Sequence, residues 1–219
     1  MSTTKKKHRD YKNDYPSVTE ILGVLRKIGL EFWFKNNSAQ FCNEESSKGK
    51  LIGTQIHDCI ESFIATGSAT LDTEYDVEVS NALNSFMAFR KDRPEIPLRK
   101  AEMLLTSRKY FFNGQIDCIS DAMIVDWKSG NCKDKVQPTI YDEWKYQVAA
   151  YTCLYNEIHG TNIKKAIIVA IAKDKVAYTT YEMDGAEIED CFNKVFLPCL
   201  SILNYQKEQK QIAKERKQK

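Results

Sequence analysis

Apolar positions recur at helical spacing through the first part of the chain and then give way to shorter runs that read as strands. Ser17-Val18-Thr19-Glu20 forms a capping box after Pro16, so a helix is expected to open there, with Val18, Ile21, Leu22 and Leu25 on its apolar face and Gly29 as its end. Ile52, Ile56, Ile60, Phe63 and Ile64 predict a second helix from about Ser46 to Ala65, stopped by Gly67. A third is predicted from about Glu74 to Arg90, with Val79, Ala82, Leu83, Phe86 and Met87 turned inward. Beyond Pro94 and Pro97 the period changes. Leu98 to Ser107, Tyr110 to Ser120 and Met123 to Trp127 read as three consecutive strands, with Gly114 marking a bulge or a close approach of backbone. Pro138 to His159 reads as a helix, Lys165 to Ala172 and Val176 to Met183 as a strand pair, and the segment from Ala186 onward as a last helix. Helices, a three-strand meander, a helix, two strands and a helix make an α/β fold with a mixed central sheet flanked by helices.

Length and charge refine this picture. The 219 residues fit one domain at 15–206, divided into a helical wall at 15–97 and an α/β core at 98–206. Net charge is only +2, but residues 1–12 carry +4 and residues 207–219 carry +4, which leaves the body at −6. A basic flexible tail at 1–14 and a charged tail at 207–219 are therefore expected, either solubilising or holding phosphates non-specifically. No apolar run is long enough to span a bilayer, and Met1 to Asn13 lacks the apolar centre of a secretory signal. The seven cysteines are odd in number and include no CxxC pair, so reduced thiols and a cytoplasmic setting are expected.

Candidate chemistry concentrates in the meander. If Asp121-Ala122 is a two-residue loop, Ile119 lies opposite Ile124 and Asp117 lies opposite Asp126. Opposed residues share a face, and Lys128, two residues beyond Asp126, shares it too, while Trp127 points away. Two opposed carboxylates repel unless a cation lies between them. A hard divalent ion such as Mg²⁺, held by one or two carboxylates, removes that penalty and can activate a water against a phosphodiester.

Gly114-x-x-Asp117 followed by Asp126-x-Lys128 resembles the signature of the PD-(D/E)XK nucleases in its RecB-like form, with Ile116 before the first acid and Asp as the second. Trp144-Lys145-Tyr146-Gln147-x-x-x-Tyr151 resembles the Q-x-x-x-Y helix that follows the lysine in that group, and Gln147 and Tyr151 share one helix face. Gly53-Thr54-x-x-His57 resembles its upstream G-x-x-x-H motif. The matches span residues 53–151. Tyr15-Pro16-Ser17-Val18-Thr19 is similar to the opening of phage-type exonucleases.

The resemblance implies a restriction-endonuclease-like core with a helical N-terminal annex. It implies a Mg²⁺- or Mn²⁺-dependent nuclease acting on DNA, an exonuclease of recombination, repair or phage DNA metabolism in a bacterial or phage-infected cell. His57, Asp117, Asp126 and the Trp127 backbone carbonyl would hold the metal, with Glu102 as an added ligand. Lys128 would activate or orient the water, Gln147 would position Lys128 or the phosphate, and Tyr151 would touch the nucleic-acid backbone or brace its helix. A recombination or single-strand-binding protein is the implied partner, and no membrane is involved. Some RecB-like nucleases carry an iron–sulfur cluster, but they cluster three cysteines late in the chain; Cys191 and Cys199 stand alone there, so no cluster is expected. The alternatives are a structure-specific or RNA-cutting endonuclease of the same fold, or a catalytically idle nucleic-acid-binding module. Taken singly, His57 and Tyr151 could be core residues, Gln147 an exposed side chain and Glu102 a surface carboxylate. Phe32, Trp33 and Phe34 could stack on unpaired bases, although core packing is the more ordinary use of such a run.

Overall fold

Every residue of Ala166–Ala172 is buried, and all seven are Ala, Ile or Val. A strand buried on both faces needs a layer of helices on each side. The computed structural model, which describes residues 13–68 and 76–218, has that arrangement. Lys5, Lys6, Lys7, Arg9 and Lys12, the basic run at the start of the chain, lie outside the described residues, as does Glu74.

The five-stranded sheet has the order β1 (Lys100–Ser107), β2 (Phe112–Ile119), β3 (Ile124–Gly130), β4 (Ala166–Ala172) and β5 (Tyr178–Met183). Only β3 and β4 pair in parallel. A parallel pair needs a crossover, and the helix Asp142–His159 supplies it.

On one face the sheet residues Phe112, Ile116, Ile119, Ile124 and Ile168 pack with Val148, Tyr151 and Leu154 of that crossover helix, and with Phe192, Phe196 and Leu200 near the end of the chain. On the other, Cys118, Val125, Trp127, Ile167 and Val169 meet Ile56 and Ile60 of the second predicted helix and Phe86 and Phe89 of the third. The Trp127 indole stands edge-on to Phe86 and Phe89, with centroids 5.3 and 5.7 Å away.

The helices depart from expectation mainly at their ends. Ser17 accepts the Glu20 N–H at 3.2 Å, as the capping box requires. However, α1 covers only Val18–Ile21, with one 3₁₀ turn to Val24. Leu25 is extended, and Gly29 sits inside a separate helix, α2 (Ile28–Lys35), rather than ending the first. Next, α3 (Ala39–Thr66) starts earlier than Ser46 because Ser38 caps it, and Gly67 ends it in the left-handed conformation with φ 76°. The following helix, α4 (Val77–Asp92), is capped by Asp76, and the crossover helix, α5, starts at Asp142 rather than Pro138. Finally, α6 (Gly185–Cys191) passes through a π-helical turn at Phe192–Phe196 into α7 (Leu197–Lys217). Among the described residues no helix is long and apolar enough to cross a membrane.

Candidate active site

Strands β2 and β3 pair at two positions, Ile119↔Ile124 and Cys118↔Val125. The Ser120 N–H donates to the Met123 carbonyl at 3.0 Å, closing the expected two-residue loop at Asp121-Ala122. Beyond these rungs the sheet splits: β1 stays with β2 as far as Ser107↔Phe112, and β3 stays with β4 as far as Gly130↔Ala172. Asp117 and Asp126 are the first residues past the last shared rung, so they flank the mouth of a notch in the sheet.

The two carboxylates converge there, but not as an opposed pair on one face. Ile116 packs into the core beneath α5, whereas Cys118 packs into the core beneath α3 and α4, so strand alternation breaks at Asp117. Asp117 Oδ2 accepts the Trp127 N–H at 2.9 Å, taking the place of a ladder carbonyl. Across from it, Glu102 leaves the β1–β2 ladder and adopts φ 53°. A non-glycine residue in the left-handed region stores about 1–3 kcal/mol, which the surrounding fold must hold in place. Here the unusual backbone accompanies a side chain aimed into the notch.

From the opposite wall α3 brings in His57. Its Nδ1 lies 3.6 Å from Glu102 Oε1 and 3.7 Å from Asp117 Oδ1. One ligand atom from each of His57, Glu102 and Asp117 fits within a 4.8 Å span, close enough together to hold a metal ion. Burial depresses the His57 pKa, but the neighbouring carboxylates of Asp117 and Glu102 outweigh it and raise the imidazole to about 8.

Asp126 is fully buried. Its Oδ2 contacts Lys128 Nζ at 2.5 Å, yet neither oxygen accepts a well-formed hydrogen bond. Burial pushes Asp126 above the ordinary carboxylate range, Lys128 pulls it down, and Asp117 pushes it up. Burying a carboxylate is costly unless a cation accompanies it, and the Lys128 ammonium is the cation beside this one. The donors that lie together, the imidazole of His57 and the carboxylates of Glu102 and Asp117, suit a divalent ion such as Mn²⁺ or Mg²⁺.

The α5 pair is held together as the shared helix face predicts: the Gln147 amide donates to the Tyr151 hydroxyl at 2.8 Å. Tyr151 is 3% exposed and its ring packs on Gly114. That resolves the role of Gly114 as close approach, since a Cβ there would meet Leu154 Cδ2 at 2.7 Å and the Tyr151 ring at 3.2 Å. Gln115 also belongs to the neighbourhood, because its amide donates to Glu102. Nothing in the sequence pattern singled out Gln115 beyond its place in the Gly114–Asp117 run. Phe32, Trp33 and Phe34 are not core: α2 buries none of its residues.

Comparison with known proteins bears on the family and the fold. A family model described as the PD-(D/E)XK nuclease superfamily matches residues 32–216. No curated protein matches the chain. A solved Eubacterium rectale protein described as an exonuclease is similar with a TM-score of 0.58 and 12% identity, over 93% of this chain and 86% of that one. An alkaline exonuclease from Laribacter hongkongensis gives a TM-score of 0.42 and 12% identity over 91% of this chain and 94% of that one. A phage-related exonuclease from Haemophilus somnus 129PT gives 0.40 and 14% over 73% and 82%. At such identities the likeness is one of fold, and the Eubacterium rectale structure alone of the three scores high enough to carry it.

Proposed function

The chain belongs to the PD-(D/E)XK nuclease superfamily, and from that premise we propose that it is a divalent-metal-dependent nuclease that hydrolyses DNA phosphodiester bonds, acting as an exonuclease. The observation that carries this reading is the meeting of His57, Glu102 and Asp117 beside the buried Asp126–Lys128 ion pair. His57, Asp117, Asp126 and the Trp127 carbonyl would hold Mn²⁺ or Mg²⁺, and Glu102 joins them on the strength of its position. When bound, the ion would polarise a phosphate oxygen and lower the pKa of a water.

The chain's own groups supply the rest. Asp126 keeps the Lys128 ammonium at the notch, where it can orient the attacking water or offset charge growing on the phosphate. Asp117 ties β2 to the Trp127 backbone, which sets the spacing of the two acids. Gln147, anchored by Tyr151, positions Lys128 or the phosphate, and buried Tyr151 braces the helix. The proposed setting is recombination, repair or phage DNA metabolism in the cytoplasm of a bacterial or phage-infected cell, with a recombination or single-strand-binding protein as partner.

End-labelled linear DNA and closed circular DNA, each single- and double-stranded and alongside RNA, distinguish the modes. An exonuclease releases mononucleotides from linear DNA and leaves the circles intact. Nicked circles, or cleavage of RNA alone, would contradict the proposal.

A further inference from the structure

Five of the eight residues of α2 are apolar, yet none is buried. Ile28 is 70% exposed, Phe32 69% and Phe34 48%. The Trp33 ring lies 5.0 Å from Phe34 and 6.3 Å from Phe41 at the start of α3, so the α2–α3 corner is an aromatic cluster open to solvent. Its backbone is held firmly. The Asn36 and Asn37 side-chain amides donate to the Phe32 and Trp33 carbonyls at 2.7 and 2.8 Å, and Ser38 caps α3. Water-facing rings on a clamped corner need an occupant, because exposed apolar patches of this kind mark binding surfaces.

Placement and charge indicate which one. The same helix that receives Phe41 at its start carries Gly53 against Ser129 and then His57 at the notch. At 1.5 Å per residue, Phe41 stands roughly 24 Å from His57 along that helix. Lys27 reaches Glu143 at the first turn of α5, one turn before Gln147, so the corner borders both helices that feed the site. Residues 26–50 carry a net +2 within a body of net −6, and Lys35, next to Phe34 in the chain, is exposed. Rings flanked by cations on the approach to a phosphodiester site match unpaired bases and their phosphates better than they match an apolar protein face.

We propose that the α2–α3 corner stacks unpaired bases of the strand entering the His57–Asp117 site, so that the substrate is single-stranded DNA or a frayed end. This rests on the nuclease reading of the site. Base stacking is tolerant of sequence, so the corner would grip without selecting.

The test is binding of a fluorescent oligo-dT and of an abasic strand of equal length, read by anisotropy in Ca²⁺. The proteins are Lys128→Ala, which keeps cleavage from interfering, and the same chain with Phe32→Ala and Phe34→Ala. Both added changes lie on exposed side chains. Oligo-dT should bind the first protein at least fivefold tighter than the abasic strand, and the added changes should erase that preference. Equal affinity for the two strands in the first protein overturns the proposal even if the altered protein fails to fold. So does a preference that survives the added changes, or a change confined to sedimentation mass, which would make the occupant a second copy. The nuclease reading fails separately, if the unaltered protein with Mn²⁺ cuts no nucleic acid at all.

Discussion

His57 Nδ1 lies 3.7 Å from Asp117 Oδ1, which brings the long helix of the N-terminal wall into contact with the central meander. An imidazole can ligate a metal only through a deprotonated nitrogen, so the charge that draws His57 to Asp117 also makes a proton compete with the ion.

The first prediction is a pH dependence of metal affinity. With His57 raised to about 8, it is largely protonated at pH 7 and largely neutral at pH 9. Mn²⁺ should therefore bind roughly tenfold more weakly at pH 7 than well above pH 8. In metal-free protein the sign is opposite. A histidine raised above its unfolded value near 6.5 stabilises the fold fully below that value, and the contribution disappears as pH rises through about 8. Isothermal titration with Mn²⁺ at several pH values measures the first effect, and thermal melts in chelator measure the second. An affinity that does not change with pH removes His57 from the ligand set.

The lysine separates binding from chemistry. Lys128→Ala should keep a Mn²⁺-induced thermal shift while losing nearly all turnover, because an ammonium cannot ligate a cation. Asp117→Asn should lose both. Retention by Lys128→Ala of more than about a tenth of wild-type turnover, a barrier change under roughly 1.4 kcal/mol, would contradict the assigned role.

Asp126 should show a conflict between stability and function. Burial raises its pKa, so its protonated form is the one the fold favours. That contribution is complete below the unfolded value near 4 and is lost as pH rises through the folded one. At neutral pH the metal-free fold thus carries a disfavoured carboxylate. Asp126→Asn should melt higher than wild type in chelator, show no Mn²⁺ shift and have no activity. Equal Mn²⁺ shifts in the two proteins would place the ion elsewhere.

Gly114 should tolerate no side chain. An alanine Cβ would meet Leu154 Cδ2 at 2.7 Å and the Tyr151 ring at 3.2 Å, and both of those residues are buried. Overpacking of this kind costs about 1–3 kcal/mol, and displacement of Tyr151 would also disturb its bond with Gln147. Urea melts of Gly114→Ala report the loss, and a wild-type midpoint would mean that the crowding relaxes freely.

The strands and their register were legible because β-hairpin geometry is local: a two-residue loop at Asp121-Ala122 is enough to set Ile119 against Ile124. Helix interiors were legible from apolar spacing, and their starts less so, because Ser38 and Asp76 lie outside the periodic stretches that announce their helices. What periodicity could not reveal was the break at Asp117. Alternation predicts a flat rung of two acids. The chain instead splits the sheet there, lets Asp117 accept the Trp127 N–H and turns Glu102 to φ 53°. Glu102 thereby moves from a peripheral candidate to the centre of the cluster. The fate of Phe32, Trp33 and Phe34 was also hidden, since an aromatic run on a short helix reads as core until its neighbours are known.

The central claim is that this notch cuts nucleic acid with a divalent ion. Its most direct measurement is release of acid-soluble nucleotide from linear single-stranded DNA by wild type and Asp117→Asn, in Mn²⁺ and in excess EDTA. Release by wild type in Mn²⁺ alone, with the variant silent throughout, is the predicted result. Undiminished release in EDTA, or from Asp117→Asn in Mn²⁺, would contradict it.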